Sequence, residues 1–499
     1  MTEEQYKLIC ETCDRVLLET KITIERVSIT WLHVLNEHPL SLAKYTGIFT
    51  GMLPKFIGIK SLLYILSRGA QLLKKSPRWY SSSGDIEQAD VIFVSNLLNE
   101  SQASERCDFY FGSVQEDLAK KGVSSLIVYH NHTGLDAQYL SLKFQSNATP
   151  RLIFSSTLSW KEELNLVRRL SKEAKGLRMK VKENEDLFYN KILEASANQA
   201  LSMTSIFALR FYCQMKNVIE LARPKSIIVL YEGHAWERLA FAAARSIFPD
   251  IRCIGYQHAI LFPRQHALKR KINSYMDPDA ILTAGNIARD FLNEEESLHN
   301  VEISTVGTHR QAGLPIDLTE KLSSTNKQHS CLIIPDGNMC ECLTIIKFSI
   351  DAALLLPNIK FIIRMHPLLT FRDVAKLDNR LNQLPENIEI STFSIDDDFK
   401  RSRWAVYRGS GAAVHAVVSG LRPFYLALPN ELDIDPLFNL TVWKHVIHEP
   451  SELVLHVNND LNISINELNE SFKIANTYCR EYFMSVNKEF FCEKILGEI

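Results

Sequence analysis

From residue 89 onward the chain repeats one rhythm: a short run rich in Val, Ile and Leu, then a longer stretch with apolar residues at helical spacing. The first runs are 89–97 (ADVIFVSNL), 123–130 (VSSLIVYH), 150–156 (PRLIFSS), 226–233 (SIIVLYEG), 251–259 (IRCIGYQHA), 280–286 (AILTAGN) and 301–309 (VEISTVGTH). Nearly continuous apolar runs belong to strands buried on both faces, as in a parallel sheet covered by helices. A polar stretch, 318–328 (LTEKLSSTNKQ), reads as a linker, and the rhythm then restarts with SCLIIPDGN, NIKFIIRMHP, NIEISTFS, RWAVYRGSG and RPFYLAL. The expectation is α/β, with two facing Rossmann-like domains and no GxGxxG dinucleotide fingerprint in either. The boundaries predicted are a helical, basic N-terminal extension at 1–83, a first domain at 84–317, a second at 329–462, and helices at 463–499 that cross back to the first domain.

Composition narrows the function. Fifty-six Lys and Arg against 58 Asp and Glu leave a net charge of -2, without the field that a nucleic-acid binder carries. No apolar run approaches the ~20 residues that a bilayer span needs, and the acidic start MTEEQYKLICETCDR lacks a signal-peptide pattern. A cytoplasmic protein is expected. Ten cysteines form no disulfide framework, and neither Cys10/Cys13 nor Cys340/Cys342 has a second ligand pair at zinc spacing. No metal is expected. Between Pro39 and Ser83 lie seven basic residues and no acid, which fits either a peripheral contact with the anionic inner-membrane surface or a helical hairpin packed on the next domain.

Ligands of open α/β sheets gather at the carboxyl ends of the strands. In the first unit this selects Glu232, Gly233, His234, Gln257, His258, Gly307 and His309 as an acceptor side. In the second it selects Asp336, Gly337, Asn338, Arg364, His366, Pro367, Arg408, Gly409, Ser410 and Gly411 as a phosphate or nucleotide side. Glu232 ends a buried run, so desolvation raises its pKa and suits it to take a proton from a hydroxyl; the competing role is a cap for the helix that follows. RGSGAAV offers a Gly-rich turn at a helix start, and RMHP a histidine fixed by proline beside Arg364, both suited to phosphate. Glu431, with Asp433 and Asp435, follows the next strand and offers an acid for ribose hydroxyls, or else forms a solvated acidic loop.

Tyr231-Glu232-Gly233, His366-Pro367 and Ser410-Gly411, in that order, resemble the acidic-Gly, His-Pro and Ser motifs of bacterial GT-B glycosyltransferases that use CMP-activated acidic sugars, the sialyltransferase-like and Kdo-transferase-like families. The resemblance spans most of residues 85–480. It departs at Tyr231, where those families often have a second acid, and at the single Ser410. It implies that Glu232 is the general base and that His366 and Ser410 contact the CMP phosphate. It further implies a metal-independent transfer, without cofactor, of a nonulosonic-acid or Kdo-class sugar from its CMP donor to a capsule, O-antigen or lipopolysaccharide glycan. A CDP-glycerol-type glycerophosphotransferase and a non-hydrolysing sugar-nucleotide epimerase share the pattern, and a nucleotide-free assembly protein is a further alternative.

Overall fold

The structure is a computed structural model that describes residues 1–19, 22–51, 77–145, 149–310, 313, 316–324 and 329–497. Fourteen strands are described, in two sheets. The first contains β1 (Trp79–Ser81), β2 (Val91–Leu97), β3 (Ser125–Asn131), β4 (Arg151–Phe154), β5 (Ser226–Leu230), β6 (Arg252–Gln257), β7 (Ala280–Thr283) and β8 (Glu302–Thr305), in the order β1-β4-β3-β2-β5-β6-β7-β8. Only β1 is antiparallel. The second sheet, parallel throughout, contains β9 (Ser330–Ile334), β10 (Lys360–Ile363), β11 (Ile388–Ile390), β12 (Trp404–Tyr407), β13 (Arg422–Leu426) and β14 (His445–Ile447), in the order β11-β10-β9-β12-β13-β14. Both are doubly wound α/β sheets, as the apolar runs predict. Each reverses its winding once, between β2 and β5 and between β9 and β12, and the crevice at such a switch point is where doubly wound folds bind ligands.

Burial follows from the strand composition. Every residue of β5, β9 and β12 is buried. The helix Ala235–Ile247, rich in alanine, is buried from Ala235 through Arg245, because small side chains let it lie close under the helix Met203–Ala222.

The described residues of the N-terminal extension, 1–19 and 22–51, contribute to the core of the first domain. The helix Glu3–Leu18, started by a capping box between Thr2 and Gln5, buries Ile9, Cys13 and Leu17, and Val27, Leu32 and Val34 join the same continuous core as the first sheet. The helix Pro39–Phe49 buries Leu42, Tyr45 and Ile48. Of the seven basic residues proposed for membrane contact, Lys55, Lys60, Arg68, Lys74 and Lys75 lie outside the described residues. Arg78 pairs with Glu162 at 2.9 Å. Among the described residues no helix is long and apolar enough to cross a membrane.

The stretch read as a linker begins as a helix, Leu318–Ser324, because the Asp317 carboxylate accepts the Thr319 N–H at 2.8 Å and Leu318 is buried. Farther on, the helix Ile465–Tyr482 packs on both Ala412–Val418 and Asn286–Asn293, bridging the domains. Backbone bonds Met484 N–H to Ala284 and Thr308 N–H to Met484 then stitch the chain to the first domain. In the helix Lys488–Leu496, Phe491, Cys492 and Ile495 complete a core with Ile228, Leu230 and Val306.

Candidate functional site

The turn after β5 is built to release one carboxyl group. Tyr231 is buried and its N–H continues the ladder to Tyr256. Gly233 adopts φ +86°, and a Cβ there would stand 2.3 Å from the Ala267 carbonyl oxygen, so only glycine fits. The cap is supplied by Glu237, in the first turn of the helix, whose Oε2 accepts the N–H groups of Glu232, Gly233 and His234 at 2.8, 2.7 and 2.9 Å. The capping role considered for Glu232 therefore belongs to Glu237. Among the described residues no group hydrogen-bonds the Glu232 carboxyl; burial pushes its pKa up, and the positive charge of Arg310 offsets part of that rise.

Glu232 borders two cavities. The larger, about 1150 Å³, lies inside the first domain and is walled by Trp31, His33 and Lys44 from the N-terminal segment and by His132, His234 and Trp236 around the strand ends. The smaller, about 420 Å³, is the cleft between the domains, where Glu232, His258 and Arg310 face Gly411, Ala412 and His415. Glu232, His258 and Tyr110 border both.

Charge in the cleft is simple. Burial lowers His258 well below the usual imidazole range and His415 to about 4, so both are neutral near pH 7. The Arg310 guanidinium donates to the His258 carbonyl at 3.0 Å and lies 5.3 Å from the centre of the Tyr110 ring and 5.4 Å from that of Phe109. Among the described residues no carboxylate is within ion-pairing distance of it. A cation held on a carbonyl and two aromatic rings is prepared for an anion.

The other expected residues of the first domain brace the site. The Gln257 amide donates to the Ala259 carbonyl at 2.7 Å, shaping the turn that carries His258. Burial lowers His234 to about 4, and its ring lines the larger cavity. Gly307, at φ +80°, admits the Ser485 carbonyl where a side chain would clash. His309 packs against Gly112 and borders neither cavity around Glu232.

In the second domain the expected residues separate into three groups. Asp336, Gly337 and His366 come together at the ends of β9 and β10. Gly337 leaves room for the His366 ring, 3.0 Å from where a Cβ would sit, and the Asp336 carboxylate lies 3.2 Å from Nε2 of His38 in the N-terminal segment. His366 Nδ1 accepts the Leu368 N–H at 3.2 Å, which places the ring proton of the neutral form on Nε2; burial lowers its pKa. Asn338 caps the helix Met339–Leu355, accepting the Cys340 N–H at 2.8 Å, and Pro367 is exposed.

Gly409, Ser410 and Gly411 form the second group, at the domain contact. Side chains on the two glycines would meet Phe262 at 3.2 Å and Ile260 at 2.9 Å. The Ser410 carbonyl accepts the Ala413 N–H as the helix begins. The third group is committed elsewhere: Arg408 is buried between Glu341 (2.7 Å) and Glu431 (2.5 Å), and Arg364 binds Asp398 at 2.8 Å. Both guanidiniums are paired within the domain, Glu431 is exposed beside Arg408, and none of the three lines the cleft. Asp435 is likewise held by Tyr407 and Lys444.

Arg310, Tyr110, His415 and Lys44 were not anticipated. Arg310 directly follows His309 at a strand end already marked, so that rule reached within one residue of it. His415 lies inside a helix and Lys44 on a distant one, and nothing local in the sequence points to a cavity. Among the described residues no cluster of three or more His, Cys, Asp or Glu is arranged to hold a metal ion.

No protein-family model matches the chain, and no curated protein matches it in sequence. Among solved structures it is similar to a glycosyltransferase from Rickettsia africae ESF-5, at 12% identity and TM-score 0.45 over 83% of this chain and 100% of that one. It is similar to Acinetobacter baumannii MurG at 11% identity and TM-score 0.44 over 82% and 99%. A UDP-GlcNAc 2-epimerase from Neisseria meningitidis bound to UDP-GlcNAc gives 13% and 0.44 over 82% and 100%.

Proposed function

We propose that the protein is a glycosyltransferase: a nucleotide-activated sugar occupies the cleft between the domains, and an acceptor hydroxyl reaches it from the larger cavity. The observation that carries this reading is the placement of Glu232 on the border of both cavities. A carboxylate there takes the proton of the attacking hydroxyl as the bond from sugar to nucleotide phosphate breaks. Its raised pKa strengthens it as a base while its lack of partners leaves it accessible. The charge developing on the departing phosphate is met by Arg310, and His366 offers an Nε2–H for the same phosphate as the domains close. The order of the YEG, HP and SG motifs favours a CMP-linked acidic 2-keto sugar as donor, with a surface-glycan hydroxyl as acceptor.

A glycerophosphoryl donor would use the same parts, and a donor screen with CDP-glycerol separates the two. An epimerase needs no second substrate, so the acceptor-sized cavity adjoining Glu232 favours transfer. The test is a thermal-shift series with CMP, CDP, UDP and GDP, since a ligand that binds the folded state raises Tm, followed by turnover with the matching donor. CMP or CDP should stabilise most. Preference for UDP removes the CMP donor, and UDP-sugar turnover without any acceptor replaces transfer by epimerisation.

A further inference from the structure

We propose that the larger cavity selects an acidic acceptor, a saccharide whose carboxylate or phosphate is paired by Lys44 while one of its hydroxyls is presented to Glu232. This rests on the transfer reading above and adds the chemical class of the acceptor. The aromatic faces of Trp31, Trp236 and Phe207 line the cavity and suit the apolar faces of sugar rings, as amphipathic aromatic surfaces do at polar sites.

The charge inventory singles out Lys44. Arg210 also lines the cavity, but its charge is paired with the buried Glu163 carboxylate, which accepts from Nε and one terminal nitrogen at 2.6 and 2.8 Å. His33 is buried, with Nε2 on the Val27 carbonyl at 2.8 Å and Nδ1 facing Arg270 at 3.0 Å. Burial holds His33 and His130 well below the usual imidazole range and lowers His132 too, so the histidines contribute no positive charge near neutral pH. The Lys44 ammonium opens onto the cavity, and among the described residues no carboxylate lies within ion-pairing distance of it. Its nearest recorded contact is the Tyr45 ring, 5.0 Å to the centroid. Lys44, His234 and Glu232 line the same cavity, so one saccharide can meet both the ammonium and the proposed base. Lys44 is an exposed residue on the wall of the cavity, and an anionic ligand there gives its ammonium the charge partner that the described residues do not supply.

Isothermal titration with glucuronate, glucose 6-phosphate and glucose tests this in the full-length protein. At least one of the two acids should bind about tenfold or more tightly than glucose, the worth of a charge-assisted hydrogen bond, and which of them does so tells carboxylate from phosphate. Lys44→Met should erase the preference, Lys44→Arg should keep it, and Glu232→Gln should leave it intact. Equal binding of acid and neutral sugar, no binding of any of the three, or a preference that survives Lys44→Met and disappears in Arg310→Met overturns the assignment. Undiminished turnover by Glu232→Gln would remove the transfer reading while this binding result stood.

Discussion

The turns that end β5 and β12 hold equivalent positions, each beside the point where its sheet reverses winding, yet they treat their charged residue in opposite ways. After β5 a neighbouring acid, Glu237, satisfies the backbone and frees Glu232 to face two cavities. After β12 the charged residue, Arg408, turns inward and is neutralised by Glu341 and Glu431, leaving glycines at the domain contact. Position at a strand end brings a residue near a ligand site; what the adjacent side chains leave unsatisfied decides whether it can act there.

The sharpest way to break this comparison is to exchange each charge for a neutral group of similar shape. Glu232→Gln should lower kcat by about a thousandfold, within the range for loss of a general base, with nucleotide affinity in calorimetry unchanged. Activity near wild type would make the two turns alike. Arg408→Met should instead act on folding, costing about 3 kcal/mol because Glu341 remains buried and unpaired, read as a lower denaturation midpoint. A variant of normal stability that loses nucleotide binding would return Arg408 to the cleft.

Smaller effects refine the contrast. Arg310→Met should weaken nucleotide binding by about tenfold to a hundredfold, the value of hydrogen bonds to a charged group, with little change in stability. His366→Ala should reduce nucleotide affinity by about tenfold or less, as expected for one neutral hydrogen bond; unchanged affinity would place the β10 end outside the donor site. The last effect is on pH dependence. Glu232 must be ionised to accept a proton, and burial raises its pKa, so kcat/KM should fall on acidification with a midpoint above the ordinary glutamate range. Arg310 holds that pKa down, so Arg310→Met should move the midpoint further up.

Both sheets were legible because buried parallel strands must be apolar on both faces, and runs such as SIIVL and WAVY have no other economical reading. Glu232 was legible for the same reason, being the first charge after such a run. What the sequence concealed were pairings over long separations. Arg408 meets Glu341 across 67 residues, and Asp336 meets His38 from another part of the chain altogether. A strand-end rule finds charged residues without telling which are already neutralised. The two readings of the N-terminal segment stayed open for a related reason: a helical pattern shows an apolar face but not the wall of the first domain that this face covers.

One feature of the fold bears on how the protein is made. Phe491, Cys492 and Ile495 belong to the core beneath β5 and β6, so the first sheet is completed by residues that the ribosome adds only after the entire second sheet. The emerging first domain must wait with that apolar surface open, a condition that favours aggregation or chaperone capture. A chain released before residue 488 should accumulate in insoluble form even though both sheets are present, and supplying the missing helix as a separate peptide should recover soluble protein.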